Sequence, residues 1–284
     1  MNSTPPDPTQ ISKLAEALAR RCGERVKHEI ARPGTYQVME KSGKSDLVTE
    51  VDIWVEQEIT AAVTSAFPDH LVIGEETSGK LESETGKTLK ELIARGVSWV
   101  IDPIDGTTNF IRGIPHVAIS IAVLVDGARY AGFAFDPLRN EFFSAISGRG
   151  AHLNGEPIRG SRRTNLSEAL IATGVPHNRY TSWPKNRPIY EKLFAAVSDV
   201  RRAGAAVLDQ CWVACGRLDG YFEYSLKPWD VAAASIIVEE AGGKAGCAAD
   251  RNTSEFSIFG SCFVFASPGI FQSMLEVVYQ GSHS

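Results

Sequence analysis

The first helix predicted by the hydrophobic pattern lies near the start of the chain. Apolar residues recur there at helical spacing between a start signal at Asp7-Pro8 and a stop signal at Pro33-Gly34. Residues 41–46 are polar and predict a loop, and residues 77–96 predict a polar excursion with one amphipathic piece. Further helices are predicted from about residue 49 and over residues 188–198, 205–216, 230–241 and 268–278.

Short apolar runs between turn signals predict strands. The runs at residues 117–125 and 128–135 flank Asp126-Gly127, which predicts a two-residue hairpin turn. The meander that follows, with helices on either side of it in the sequence, favours an α+β fold of layered sheets and helices. The other predicted strands lie at residues 71–74, 99–101, 141–146, 148–153, 169–173, 221–224 and 262–266.

Composition and charge narrow the class of protein. Hydrophobic residues make up 43% of the 284 residues, and the net charge is −5 without a basic run, so direct nucleic-acid binding is not expected. The five cysteines are odd in number and irregularly spaced, which argues against a disulfide framework. No signal peptide is apparent, and the longest apolar run, 117–125, is too short to span a bilayer. We expect a cytoplasmic protein without membrane association, with flexible tails at residues 1–9 and 280–284.

The stretch Asp102-Pro103-Ile104-Asp105-Gly106-Thr107 carries the strongest chemical signal. It follows the strand predicted at residues 99–101, where two bare carboxylates are costly to bury. A hard divalent cation, which prefers oxygen ligands, would offset that cost. Gly106-Thr107-Thr108 would then open a helix whose free N–H groups suit an anion such as phosphate. These features together indicate phosphate-ester chemistry.

Other acidic stretches lie next to predicted helices and strands, and each of them, taken alone, is explained by an ordinary structural role. Asp52 could be a charge on a helix surface, Glu75-Glu76 a solvated turn, and Asp230 only a helix N-cap. Asp52 and Glu56 lie four residues apart, on one face of the predicted helix. No Ser-His-Asp or Cys-His set is apparent, and His116 is interpreted as structural rather than catalytic. Taken together, the acidic stretches favour a metal site.

Four ordered motifs resemble the inositol monophosphatase family of magnesium-dependent, lithium-sensitive phosphatases. They are WVIDPIDGTTNF at residues 99–110, WDVAAASIIVEEAGG at 229–243, DLVTEVD at 46–52 and IGEET at 73–77. The resemblance covers about residues 14–278. It implies a layered α-β-α-β-α sandwich of the inositol monophosphatase/fructose-1,6-bisphosphatase type, forming a single unit over residues 1–284. Its metal-binding α+β part would be residues 10–160 and its C-terminal α/β part residues 161–280.

The resemblance implies two to three Mg²⁺ ions per subunit and a role for each matching residue. The metal ligands would be Glu75, Asp102 and the Ile104 carbonyl oxygen for the first ion, Asp102, Asp105 and Asp230 for the second, and Glu75 with Glu76 for the third. The catalytic set would be Asp52, Thr107 and Glu75, with Asp52 and Thr107 polarising the attacking water. The phosphate would bind at Gly106, Thr107 and Thr108. Positions near the substrate would be Glu223, Gly204, Ala205, Ala206 and Lys41.

The implied reaction is hydrolysis of a small sugar or cyclitol phosphate, with inositol-1-phosphate as the default substrate. Histidinol phosphate, fructose-1,6-bisphosphate, NADP and 3′-phosphoadenosine nucleotides are alternatives within the superfamily. Related proteins pair as homodimers, so a homodimer is expected. Some bacterial relatives resemble a protein partner in a transcription complex, which is the alternative of a different class. The chain departs from the family pattern after Gly243, where a loop over residues 244–257 is expected to replace the usual strand.

Overall fold

The computed structural model describes residues 3–43, 46–175, 179–248 and 256–282. In these ranges the α-helices are α1 (Pro8–Ile30), α2 (Glu50–Ala66), α3 (Ser78–Thr85), α4 (Leu89–Ile93), α5 (Thr107–Ile111), α6 (Arg179–Ala196), α7 (Ala206–Ala214), α8 (Pro228–Glu240) and α9 (Pro268–Ser282). The strands are β1 (Val38–Gly43), β2 (Asp46–Thr49), β3 (Leu71–Gly74), β4 (Val97–Asp105), β5 (Ala118–Val125), β6 (Ala128–Asp136), β7 (Glu141–Ile146), β8 (Ala151–Leu153), β9 (Glu156–Pro157), β10 (Leu170–Thr173), β11 (Asp199–Arg201), β12 (Gly220–Tyr224), β13 (Lys244–Cys247) and β14 (Cys262–Ala266).

These elements stack in five layers. Helices α1 and α2 cover one face of a seven-stranded sheet with the order β3-β4-β5-β6-β7-β8-β9, and α7 and α8 cover the other face. The same two helices pack on a five-stranded sheet with the order β11-β10-β12-β14-β13. Helices α6 and α9 close the outer face of this second sheet. The expected α+β, layered α-β-α-β-α fold class is therefore confirmed.

The helix starts follow from local side-chain chemistry. The Asp7 carboxylate accepts the N–H of Thr9 at 2.9 Å, and Pro8 occupies the first turn of α1, where no N–H is needed. Thr49 caps α2 through a reciprocal capping box, in which the Asp52 carboxylate accepts the Thr49 N–H at 2.9 Å. Both helices were predicted from the sequence and are confirmed.

The central strand β4 is buried at all nine positions. Helices cover both faces of its sheet, so the strand has no solvated side that would produce an alternating pattern. The predicted hairpin between β5 and β6 is also confirmed. Asp126 and Gly127 form its turn with φ angles of +48° and +80°, the left-handed pair that matches the twist of the flanking strands.

Helix α8 lies between the two sheets and approaches both closely. Ala232, Ala233 and Ala234 are fully buried in the core that it shares with α7. A Cβ at Gly132 of β6 would lie 2.3 Å from the Ala233 carbonyl oxygen, so the glycine permits this close packing. None of the helices in the described residues combines the length and the apolar character that crossing a bilayer requires.

The predicted loop over residues 41–46 is wrong in its described part. Strands β1 and β2 form an antiparallel ribbon that pairs Val38 with Thr49 and Gly43 with Asp46, and residues 44–45 lie outside the described ranges. The polar β1 sequence carries no strand pattern of its own. Its partner strand provides the hydrogen bonds, and Val48 of that strand is anchored in the interior.

The strand predicted at residues 99–101 is too short, because β4 continues to Asp105. Its pairing with β5 shifts between Asp102, opposite Ser120, and Asp105, opposite Ala118. Three residue steps on β4 therefore match two on β5, which is a bulge. Pro103 lies inside this bulge, where its missing N–H costs no ladder hydrogen bond.

Two further boundaries differ from the prediction. Residues 244–247 form strand β13 rather than a loop, because they pair antiparallel with β14; residues 249–255 of the predicted loop lie outside the described ranges. Helix α6 starts at Arg179 instead of residue 188. The polar excursion over residues 77–96 contains the short helices α3 and α4, and a capping box of Thr88 and Glu91 starts α4.

Candidate active site

The β4 bulge places two carboxylates in the interior, with exposures of 2% for Asp102 and 7% for Asp105. The two oxygens of Asp105 accept the N–H groups of Ala206 at 3.0 Å and Val207 at 2.7 Å, which open α7. Burial raises the pKa of Asp105 to about 7, although the Val207 amide lowers it in part. The link joins the end of β4 to the segment that contains Ala205 and Ala206.

Asp102 lies among other acids and is incompletely satisfied. Its Oδ1 is buried without a hydrogen-bond partner. Burial raises the pKa of Asp102 well above its usual range, and the charges of Glu75, Asp105 and Asp230 raise it further. The backbone explains the proximity of Glu75, because its N–H donates to the Ile101 carbonyl oxygen at 3.1 Å.

Asp230 occupies the third position of α8, so it is not the N-cap. Its carboxylate accepts the Lys227 N–H at 2.7 Å, and its carbonyl oxygen accepts the Gln210 amide at 3.0 Å. Burial and the charge of Glu75 raise the pKa of Asp230 well above its usual range. The end of β4 and the start of α8, which are far apart in sequence, thus bring the carboxylates of Asp102 and Asp230 close together.

Lys41 on β1 neutralises the outer edge of this acidic cluster. Its Nζ lies 2.6 Å from Oε1 of Glu75 and 2.6 Å from Oε1 of Glu76. Burial lowers the pKa of Lys41, but the two carboxylates outweigh it and raise the pKa above its usual range. Burial and the Glu75 charge raise the pKa of Glu76 to about 8. Glu75-Glu76 is therefore a partly buried ion-paired turn rather than a solvated one.

The donor chemistry of the cluster fits Mg²⁺, which takes oxygen ligands. The carboxylates and the Ile104 carbonyl group would all bind a cation through oxygen atoms. The Asp102 Oδ1 is a buried acceptor without a partner, and a cation or a hydrogen-bond donor would satisfy it. Within the described ranges, no three acidic, histidine or cysteine side chains converge at distances that would hold an ion. Glu75 and Glu76 are instead paired with Lys41, and the Asp105 carboxylate accepts the α7 amides. Ligation would require these side chains to turn.

Thr107 and Asp52 meet beside the cluster. The Thr107 Oγ1 lies 3.3 Å from Oδ1 of Asp52 and 3.1 Å from the Ile104 carbonyl oxygen. Asp52 is only 1% exposed, so it is not a surface charge, and burial raises its pKa to about 6. Its other oxygen accepts the Thr49 N–H, which leaves Oδ1 directed to Thr107. The capping box of α2 therefore also orients a candidate base.

The predicted phosphate-binding residues lie where α5 begins. Gly106 has φ of +90°, and a Cβ there would lie 3.1 Å from the Gly204 carbonyl oxygen and 3.2 Å from the Ala205 Cβ. Glycine thus allows the α5 start to contact the segment predicted to lie near the substrate. Gly106 and Thr107 are partly exposed and Thr108 is exposed. The first N–H groups of a helix have no partner within the helix and remain available to a ligand.

Glu223 at the end of β12 is positioned by its neighbours. The buried Tyr221 hydroxyl donates a hydrogen bond to its Oε2, and Gly174 leaves the room that its carboxylate occupies. A Cβ at Gly174 would approach this carboxylate to 2.0 Å. Burial raises the pKa of Glu223 to about 7, and the charges of Asp105 and Asp209 also raise it.

Several residues near the cluster received no functional role from the sequence. Glu56 is 2% exposed and accepts the Glu76 N–H at 2.8 Å. The sequence places Glu56 on the same helix face as Asp52, four residues away, which could have marked it as a site residue. It did not show which segment of the chain packs against that face. His116 pairs with the buried Asp209, Nε2 to Oδ1 at 3.0 Å, in agreement with a structural role.

Two clefts border the acidic cluster without containing it. One, of about 420 Å³, is lined by Asn109, His116 and Arg202, among others. The other, of about 460 Å³, lies beside Lys227 and Trp229. Neither is lined by Asp52, Asp102 or Asp105. We assign the chemistry to the acidic cluster because it gathers several buried carboxylates, whereas the first cleft has one, Asp209, which is paired with His116.

A sequence model of the inositol monophosphatase family matches residues 7–275. The chain belongs to this family. The Nus factor SuhB of Pseudomonas aeruginosa is 43% identical over 232 residues, which are 81% of this chain and 82% of the relative. This membership supports a phosphatase of the inositol monophosphatase superfamily.

Solved structures of the family share the fold. The extragenic suppressor protein SuhB from Bartonella henselae superposes with a TM-score of 0.84 at 29% identity, covering 96% of this chain and 99% of that one. The IMPase of Thermotoga maritima gives a TM-score of 0.81 at 30% identity, covering 97% and 98% of the two chains.

Proposed function

We propose that this protein is a Mg²⁺-dependent phosphomonoesterase whose default substrate is inositol-1-phosphate. The observation that carries the proposal is the contact between Thr107 and the buried Asp52 beside the acidic cluster. Two or three Mg²⁺ ions would be held by Glu75, Asp102, the Ile104 carbonyl oxygen, Asp105 and Asp230, with Glu76 contributing to a third site. Bound Mg²⁺ would supply positive charge that neutralises phosphoryl oxygens and makes water easier to deprotonate.

Side chains of this protein would take up the proton that the attacking water loses. The Thr107 hydroxyl would donate to Asp52, 3.3 Å away, while its lone pairs would accept a hydrogen bond from the attacking water. With a pKa of about 6, Asp52 is ionised at neutral pH and can take the proton that Thr107 passes on. The N–H groups of Gly106, Thr107 and Thr108 would bind the phosphate oxygens and hold the ester in line with the water.

The substrate would lie between the α5 start and the segment Gly204-Ala205-Ala206. Glu223 would accept a hydrogen bond from a polyol hydroxyl, which favours a cyclitol or sugar. An amine would also suit this carboxylate, so histidinol phosphate stays an alternative, with fructose-1,6-bisphosphate and the nucleotide 3′-phosphates. Lys41 would leave Glu75 and Glu76 when a cation enters and could then approach the substrate.

Phosphate release with and without Mg²⁺ tests the proposal. The panel holds inositol-1-phosphate, fructose-1,6-bisphosphate, histidinol phosphate, NADP and 3′-phosphoadenosine-5′-phosphate, each with and without Li⁺. Mg²⁺-dependent, Li⁺-inhibited release led by inositol-1-phosphate is the expected result. Release led by another compound would keep the mechanism and change the substrate. No release from folded protein would overturn the enzymatic proposal.

The name Nus factor SuhB, carried by relatives, favours a second candidate function. We propose a protein-binding role in a transcription complex as an addition to the phosphatase. The net charge of −5 argues that any RNA contact would be made through a protein partner. Asp105→Asn should abolish turnover and leave partner binding intact if both roles exist, and a pull-down from a lysate of the source cells, compared with wild type, measures this.

We also propose a cytoplasmic homodimer, on the basis of the family resemblance. Sedimentation equilibrium of the full chain should give twice the mass of 30.8 kDa. A mass that stays monomeric at micromolar concentration would contradict the homodimer.

A further inference from the structure

Three hydrogen bonds hold the turn that carries Glu75 and Glu76, and one of them is made by the carboxyl group of Glu56. On one side, the Glu75 N–H donates to the Ile101 carbonyl oxygen at 3.1 Å. The Glu75 carbonyl oxygen accepts the Ser78 hydroxyl at 3.1 Å. On the other side, Oε2 of Glu56 accepts the Glu76 N–H at 2.8 Å. The peptide between Glu75 and Glu76 is thus held by Glu56 of α2 and Ser78 of α3, and the peptide before it is held by β4.

Burial of the Glu56 carboxyl group at this position has a free-energy cost. Glu56 is 2% exposed, and its Oε1 is buried without a hydrogen-bond partner. Burying a carboxyl group with one oxygen unsatisfied is unfavourable for folding. An apolar side chain of similar length would avoid that penalty but would leave the Glu76 N–H without its acceptor, so the contact with the turn accounts for the carboxyl group.

Gly74 makes room for this carboxyl group. A Cβ at position 74 would lie 2.0 Å from the Glu56 Cδ and 2.2 and 2.3 Å from its two oxygens. The φ of Gly74 is not in the left-handed region, so the glycine is required by the close approach and not by backbone conformation. The Glu56 carboxyl group lies against the backbone of the residue that precedes the Glu75-Glu76 pair.

We propose, on the basis of the proposed function, that Glu56 is a positioning residue for cation binding by Glu75 and Glu76. It anchors the peptide of this turn and so fixes the backbone from which both side chains extend. Outer residues that orient metal ligands commonly change metal affinity by about 10- to 100-fold when they are replaced. Glu56 would act through Glu76 and would touch neither the substrate nor the reacting atoms.

The test measures binding of Mn²⁺ alone to the full chain by electron paramagnetic resonance, with Mg²⁺ as competitor. Glu56→Met removes the acceptor and keeps the shape, and we expect it to weaken Mn²⁺ binding by about tenfold or more. Glu56→Gln keeps an oxygen that can accept the Glu76 N–H, and we expect it to stay within about threefold of wild type. Glu58→Met, on the same helix but paired with Arg21 at the surface, is the matched control.

Thermal unfolding without metal separates positioning from a merely structural role. Glu56→Met removes a buried and partly unsatisfied carboxyl group but leaves the Glu76 N–H without its acceptor, so its unfolding temperature should stay close to that of wild type. A second variant covers the case in which Glu56→Met does not fold. Gly74→Ala should displace the Glu56 carboxyl group and weaken Mn²⁺ binding, whereas Gly79→Ala, with open space around its Cβ, should not.

The results for the two Glu56 variants either support or overturn the positioning role of Glu56. Weakened Mn²⁺ binding in folded Glu56→Met, with Glu56→Gln close to wild type, supports the positioning role. Folded Glu56→Met within twofold of wild type overturns it, and so does an equal loss in both Glu56 variants. If the wild-type protein binds neither Mn²⁺ nor Mg²⁺ and releases no phosphate, the proposed function itself fails as well.

Discussion

The Thr107 hydroxyl and the Asp52 carboxylate lie 3.3 Å apart, although 55 positions separate them in the chain. Thr107 belongs to the first turn after β4, and Asp52 to the capping box of α2. Two helix starts therefore meet at one point, and the contact on which the proposed proton relay depends results from ordinary helix-capping chemistry. The first prediction depends on this contact.

Thr107→Ala should lower kcat for phosphate release by about 100-fold or more, because the relay to Asp52 is lost. The substrate KM should change much less, since the N–H groups of the α5 start remain. Steady-state kinetics at saturating Mg²⁺ measures both constants. Thr107→Ser keeps the hydroxyl and is the matched control. Activity of Thr107→Ala near that of wild type would exclude the relay.

Asp102→Asn should stabilise the protein that has been treated with a chelator and remove its response to Mg²⁺. Burial, and then the charges of Glu75, Asp105 and Asp230, raise the pKa of Asp102, so an ionisable side chain there opposes folding and a neutral amide removes that cost. We expect a rise in Tm of about 3 °C or more without Mg²⁺ and no further rise with Mg²⁺. Differential scanning calorimetry compares the variant with wild type and with Asp69→Asn at an exposed site. A lower Tm without Mg²⁺ would show that the Asp102 charge does not oppose folding.

Lys41→Met should strengthen cation binding. The Lys41 ammonium now occupies the oxygens of Glu75 and Glu76, so it competes with a cation for them. We expect Mn²⁺ to bind about three- to tenfold more tightly in titration calorimetry, as the loss of a competing charge-assisted contact implies. Lys80→Met is the control, because Lys80 pairs with Glu84 at the surface. Weaker binding would mean that Lys41 supports the site instead of competing for it.

Glu223→Gln should change how stability depends on pH. Burial raises the pKa of Glu223 from 4.5 to about 7, so between these values the folded protein holds a proton that the unfolded chain has released. The Glu223 contribution to stability therefore falls as pH rises through this window. Because glutamine stays neutral, the stability gained by the variant should grow from near zero at pH 4.5 to a plateau above pH 7.

Urea unfolding at a series of pH values measures that difference between Glu223→Gln and wild type. Glu84→Gln, at an exposed position of α3, should follow wild type at every pH. A difference that is constant across the series would mean that Glu223 does not titrate in this window in the folded protein.

Helix starts and hairpin turns were predictable because their determinants are local. Asp7-Pro8 and Thr49 cap α1 and α2, and Asp126-Gly127 forms the turn between β5 and β6. Each of these caps and turns depends on side chains within a few residues of it, so the local sequence is sufficient to predict it. Pairings that depend on a distant partner were missed. Strands β1 and β13 have polar or small sequences, and their partner strands β2 and β14 complete their hydrogen bonds.

By itself, the sequence determined the residue types of the candidate site and an α+β fold of layered sheets and helices, whereas the order of the layers was implied by the family resemblance. The Asp102-to-Thr107 stretch and Asp230 were apparent because their chemistry is unusual beside apolar runs. Only the tertiary structure decided that Lys41 lies between Glu75 and Glu76, that Asp105 faces the α7 amides, and that Glu56 lies beneath the turn. These contacts join segments distant in sequence, and the packing of α2 and α7 against β4 sets which charged groups meet.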